Sequence, residues 1–170
     1  QNIAFAYAAA KLCGINEHDT LAAITSFSGL EHRQNLIRRL GSVEFINDSK
    51  ATNIEAAARA LEANSKILWI AGGRLKENNI DSLLPFLEKV LHVYLIGEAA
   101  ETLSNLLDKL VPTTICNNMN KAVNIAYITA LEKKSATILL SPACSSFDQY
   151  RNFEERGDAF CSIVNKLEEK

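Results

Sequence analysis

The sequence predicts an α/β protein: a Rossmann-like, mostly parallel sheet with helices on both faces, preceded by two helices. Two observations carry that expectation. Short, continuously apolar runs such as "KILWIAGG" and "ATILLSPA" suit strands buried on both sides. Between them lie stretches of ten to fifteen residues with apolar side chains at helical spacing, the alternation of a parallel sheet built by crossovers. In order, residues 2–13 and 17–27 read as helices split by Gly14. Two helices alone cannot cover their apolar faces, so they are assigned to a neighbouring domain, residues 1–29. The main domain is expected over 30–170. Its first segment, "RQNLIRRL", Gly41-Ser42 and "VEFIN", reads as a hairpin or an extended linker. A helix over 53–63 follows, then "KILWIAGG", a helix over 81–90, "HVYLIG", a helix over 99–110 and "TTIC". A helix over 119–133, the strand "ATILLSPA" and a last helix ending near Leu167 complete the series. No internal repeat or low-complexity tract interrupts it.

Composition narrows the function classes. The 170 residues are 48% hydrophobic and 22% charged, as in an ordinary globular chain. A net charge of −2 supplies no field for nucleic acid. No apolar run approaches the ~20 residues of a membrane span. Cys13, Cys116, Cys144 and Cys161 form no C-x-x-C pair. That pattern points to a reducing, cytoplasmic setting and away from a zinc site or a disulfide framework. His18, His32 and His92 are scattered as well, so no metal site is expected. The chain begins at Gln1, part-way through a helical pattern, and reads as a piece of something longer.

Parallel sheets bind ligands beyond the carboxyl ends of their strands, so the loops there hold the candidate residues. In "NDSKATNIE", Thr52 can cap the next helix, with Glu55 completing a capping box. A helix start also attracts anions, and Lys50 adds a full charge. Capping alone explains neither Asp48 nor Lys50. In "AGGRLKENN", two glycines allow close backbone approach to a ligand and Lys76 follows. The spacing is not G-x-G-x-x-G, which counts against a dinucleotide module. The third loop, "LSPACSSFDQYRNFEERGDAF", offers Ser146 with Gln149, or Asn152 with Glu155, as capping boxes. Cys144 has no histidine tied to it, so a nucleophile is not expected. Upstream, Glu31-His32-Arg33 reads as a solvated charge cluster, although an arginine fork can also grip phosphate.

"EHR", "INDSKATN", "GGRLK" and "LSPACSSFDQYRNFEERGDAF" together closely resemble the Mur ligases of peptidoglycan synthesis, and within them the D-glutamate-adding branch. The resemblance implies the C-terminal, amino-acid-binding domain, preceded by the last helices of a central ATPase domain. It implies that Lys50, Thr52, Lys76, Ser146 and Phe153 surround D-glutamate. Arg33, Asp48 and Asn2 would contact ATP, with His32 a further candidate; Asn2 stands at the cut end of the family's H-N-x-x-N motif. The implied reaction phosphorylates the alanine carboxylate of UDP-N-acetylmuramoyl-L-alanine, and the D-glutamate amine then attacks the acyl phosphate. ATP and Mg2+ are the implied cofactors, bound mainly upstream, and the parent enzyme is expected to be a monomer. No G-x-x-x-x-G-K-[ST] loop occurs here, so the chain alone is expected to be inactive. The alternative is a non-catalytic nucleotide-binding or regulatory module that reuses the fold.

Overall fold

A computed structural model describes residues 2–169. The chain divides into two compact units, Gln1–Leu30 and Glu31–Lys170. The first holds helices α1 (Asn2–Leu12) and α2 (Glu17–Ser26), the latter capped by Asn16, whose side chain accepts from Asp19 N. None of the residues of α1 is buried.

The second unit is a six-stranded sheet. Its strands are β1 (Asn35–Leu40), β2 (Val43–Asn47), β3 (Ile67–Gly72), β4 (Val90–Ile96), β5 (Thr113–Asn117) and β6 (Ala136–Leu140), in the order β1-β2-β6-β3-β4-β5. Only the β1–β2 pair is antiparallel, so the "RQNLIRRL…VEFIN" segment is the hairpin and not the linker. Gly41 and Ser42 make its turn, between Leu40 and its partner Val43.

Both faces are covered, which is why the strands read as unbroken apolar runs. Alternate residues Ile67, Trp69 and Ala71 face helices α3 (Ile54–Ala63) and α4 (Ala100–Leu106) and a 3-10 turn (Leu84–Lys89). Leu68 and Ile70 face α5 (Met119–Glu132) and α6 (Phe153–Asn165). The helix expected over 81–90 is thus only the short 3-10 turn. Pro85, near its start, has no N–H to donate into the preceding turn, and Val90 already belongs to β4. The helix expected over 99–110 stops at Leu106 and unwinds through turns.

After β3 the chain moves outward to β4 and β5, whereas after β6 helix α6 turns back over β2 and β1. The connections therefore diverge between β6 and β3, the place where an open sheet leaves a crevice.

Candidate functional site

The loops after β3 and β6 are tied together at that crevice. Arg74 N donates to Ser145 O (2.9 Å) and Ser145 N to Arg74 O (3.0 Å). Gly72 and Gly73 make this approach possible. A Cβ on Gly72 would stand 1.9 Å from Ile96 O, and one on Gly73 2.2 Å from Ser145 O. Both also have φ near +125°, which favours glycine. The glycines expected to admit a ligand therefore admit neighbouring backbone instead. The bridge leaves Ser146 one residue beyond Ser145 and Lys76 two beyond Arg74.

After β2 the chain makes a tight turn. Asp48 N donates to Leu140 O (2.7 Å), Ala51 N to Asp48 O (2.9 Å) and Thr52 N to Lys50 O (2.9 Å). Helix α3 is capped by Asn53, whose Oδ1 accepts from Ala56 N (2.8 Å), so the cap expected at Thr52 lies one residue later. Asn118 and Asn152 cap α5 and α6 in the same way, and Asn152 to Glu155 N is the capping pair the third loop adopts. Ser146 instead accepts from Gln149 N and Tyr150 N through its carbonyl, forming a turn and no helix.

Asp48 is buried, with Oδ1 accepting from Gln34 N (3.1 Å) and Oδ2 from the Ser141 hydroxyl (2.8 Å). Burial pushes its carboxyl above the ordinary value, and these hydrogen bonds and the nearby Arg33 charge only partly oppose that. Arg33 itself is exposed. His32 is buried, contrary to the solvated reading, with a left-handed φ of 58°. Asn47 Oδ1 accepts from Ser49 N, so its Nδ2 must donate, and His32 Nδ1 (3.1 Å) is one acceptor. Gly157 O (3.1 Å) and Cys161 Sγ (3.2 Å) lie within reach of the same Nδ2, and the other ring nitrogen of His32, Nε2, stands 3.7 Å from Asp158 Oδ1. The Phe153 ring meets His32 edge-on, 6.3 Å between centroids, and Lys50 Nζ lies 5.1 Å from the same Phe153 centroid.

Arg156, which the sequence reading did not single out, holds these loops together. It is 1% exposed. It donates from Nε to Ser49 Oγ (3.0 Å), from Nη2 to Ser49 O (2.8 Å) and from Nη1 to Cys144 O (3.0 Å). Burial lowers its pKa to about 10, opposed by neighbouring Cys144 and Asp148, so it stays charged at neutral pH. A spacing signal existed: Arg156, Phe160 and Val164 recur every fourth residue on the buried face of α6. Cys144 is fully buried and its thiol is pushed up to about 12 by burial, which removes any nucleophile reading.

Among the described residues, the Lys50 and Lys76 ammoniums and the Thr52 and Ser146 hydroxyls form no hydrogen bond or ion pair with protein. Several neighbouring polar groups are engaged: Ser49 donates to Phe153 O, Ser141 to Asp48, Ser145 to Arg74 O, and Arg74 to Glu98. Ser146 is only 2% exposed as a residue, yet its hydroxyl is not among the buried atoms without a partner and so still meets solvent. Asn2 lies exposed at the start of α1, in the other unit. A hollow of about 300 Å³ opens at the amino end of the sheet, lined in part by Arg39, Lys66 and Thr137, and includes none of these candidates. Three or more His, Cys, Asp or Glu side chains gather nowhere among the described residues in a way that would hold a metal.

Known proteins resemble this chain in sequence and in fold. The family described as Mur ligase, glutamate ligase domain, matches residues 32–144. A UDP-N-acetylmuramoylalanine--D-glutamate ligase of Caulobacter sp. (strain K31) is 46% identical over 168 residues, covering 98% of this chain and 36% of the relative. Another of that name, from Rhizobium meliloti (strain 1021), is 49% identical over 170 residues, covering 99% and 37%. The chain thus spans little more than a third of the length of these two relatives. The UDP-N-acetylmuramate-alanine ligase of Thermotoga maritima shares the fold, with a TM-score of 0.61 over 93% of this chain and 35% of that one, at 14% identity. A family match that runs from His32 to Cys144 takes in the turn after β2, the two glycines and all six strands of the sheet, and on that ground the chain belongs to the Mur ligase family, whose glutamate ligase domain it carries.

Proposed function

We propose that this chain is the amino-acid-binding part of an ATP-dependent ligase that joins D-glutamate to UDP-N-acetylmuramoyl-L-alanine. One observation carries the reading: among the described residues, four groups on the strand-end loops, two ammoniums and two hydroxyls, make no hydrogen bond or ion pair with protein and stand free for a ligand. A dicarboxylate needs two anion sites. Lys76 and Ser146, beside the β3–β6 bridge, would take one carboxylate. Lys50 and Thr52, beside the start of α3, would take the other, with Phe153 holding Lys50 in place. Arg33 and Asp48 would face ATP; residues 1–29 would belong to the end of a central ATPase domain, in which Asn2 is the candidate nucleotide contact. In the reaction charge builds on phosphoryl oxygens, so the protein's contribution is positioning and electrostatics. The donors for Mg2+ would come from elsewhere in the longer protein, since no carboxylate cluster gathers among the described residues. Four free thiols suit a cytoplasmic setting, and among the described residues no helix is long and apolar enough to cross a membrane.

The test is Lys76→Ala in the full-length ligase, set against Arg74→Ala. A charge-assisted hydrogen bond contributes about 1.5–3 kcal/mol, so Lys76→Ala should weaken kcat/KM for D-glutamate roughly ten- to a hundredfold. Arg74 is exposed and paired with Glu98 at 3.0 Å, a contact with little energetic weight, so Arg74→Ala should stay near wild type. Equal losses would show that Lys76 acts through general charge, and the site assignment would fall.

A further inference from the structure

Asp148 occupies a position that the proposed D-glutamate site does not use. Its Oδ2 accepts from Glu98 N (2.9 Å), reaching from the loop after β6 to the loop after β4. Gly97 makes room for it, since a Cβ there would stand 2.2 Å from that oxygen. Its Oδ1 is buried and has no hydrogen-bond partner. A carboxylate with one oxygen left bare inside a protein costs stability, so a compensating use is expected.

The loop contacts supply that use. The β6 and β3 loops are joined by the Ser145–Arg74 bridge. The β3 and β4 loops are joined by Gly73 N to Ile96 O (3.2 Å) and Ala99 N to Gly73 O (2.8 Å). The Asp148–Glu98 bond adds the third side and closes a triangle of strand-end loops. Ser146 lies inside that closure, anchored one residue earlier at Ser145 and two residues later at Asp148. We infer that Asp148 is a positioning residue: its hydrogen bond to Glu98 N latches the β4 loop to the β6 loop and thereby fixes Ser146 for the amino-acid substrate. The latch rests on the amino-acid-site reading above only in its last step, since the loop triangle belongs to this chain's own fold. The latch works through acceptor geometry, not through charge.

Four variants separate the cases. Asp148→Asn keeps an acceptor oxygen at the same reach, whereas Asp148→Ala removes it and Asp148→Glu keeps the charge but displaces the acceptor. In this chain, hydrogen exchange at Glu98 and at Ser145–Phe147 should quicken about tenfold in the Ala and Glu variants and stay near wild type in Asn. In the full-length ligase the same two variants should raise the D-glutamate KM about tenfold or more, with the ATP KM unchanged and Asn within about threefold of wild type. Unchanged exchange in Asp148→Ala overturns the latch whatever the kinetics show. Loss in Asn equal to loss in Ala overturns it in favour of charge. Quickened exchange with an unchanged D-glutamate KM overturns the positioning role. Lys76→Ala, run alongside, separates this from the parent reading: if it too leaves D-glutamate use intact, the amino-acid site itself is misassigned. Should Asp148→Ala fail to fold, the Asn and Glu pair decides alone.

Discussion

Burial of the Asp48 carboxyl disfavours its charged form in the fold. Its carboxyl is raised above 3.8 in the folded state, chiefly by burial, so folding favours the protonated form. A group that binds its proton more tightly when folded loses stability as pH climbs from the unfolded value through the raised folded one. Asp48→Asn, which offers the same two acceptor or donor contacts to Gln34 N and Ser141, should therefore melt at or above the wild-type temperature at pH 7. The advantage should shrink as pH falls, because the folded carboxyl takes up its proton before the unfolded one does. Melts at several pH values check this, and a neutral-pH melting point well below wild type would refute it. Persistence of so costly an acid fits the proposed role at ATP. Gly157 makes a second residue-scale case. It sits in α6 with His32 against it, and a Cβ would meet His32 Nδ1 at 2.2 Å. Alanine improves helix propensity by about 1 kcal/mol, but overpacking costs about 1–3, so Gly157→Ala should be neutral to destabilising by up to about 2 kcal/mol in urea unfolding. It should also shift the His32 ring resonances.

At the scale of elements, each sheet-unit α-helix with a side-chain cap uses asparagine: Asn53, Asn118 and Asn152. Asn53→Ala should cost about 1 kcal/mol, and Thr52→Ala clearly less, because Thr52's hydroxyl caps nothing. Equal costs would restore Thr52 as the cap. That helix start was legible to within one residue, since "ATNIE" offers two cap-competent side chains in a row and only the backbone angles choose between them. The strands were legible because both faces are buried, which leaves no polar alternation to confuse the period. The helix over 81–90 was not: Leu83, Leu84, Phe86 and Leu87 have helical spacing, yet the segment closes only as a 3-10 turn before Val90 enters β4. Lys50, Thr52, Lys76 and Ser146 were legible as strand-end residues. Arg156 was hidden because its partners, Ser49 and the Cys144 carbonyl, are 107 and 12 residues away. Arg156→Lys should cost about 2–3 kcal/mol, because one ammonium cannot reproduce a fork that spans both loops.

For the whole molecule, the unit from Glu31 onward has its own two-sided core, and residues 31–170 should fold without the preceding helices. Its melting point should lie within about 3 °C of the full chain's, by circular dichroism. A larger drop, or loss of cooperativity, would show that the first thirty residues contribute to the core. The antiparallel first strand carries a further consequence. Because β1 runs against β2, with Asn35 paired to Asn47, the chain enters this unit beside the carboxyl ends of the other strands. Lys50 N donates to His32 O and Gln34 N to Asp48, so the tether is knotted into the rim of the candidate site. A parallel first strand would have brought the chain in at the opposite end, a strand length of about 17–20 Å away. As built, the segment that leads into the sheet, His32 to Gln34, is itself part of the rim formed by the strand-end loops, so a change in the turn after β2 is felt at the point where the chain enters the unit.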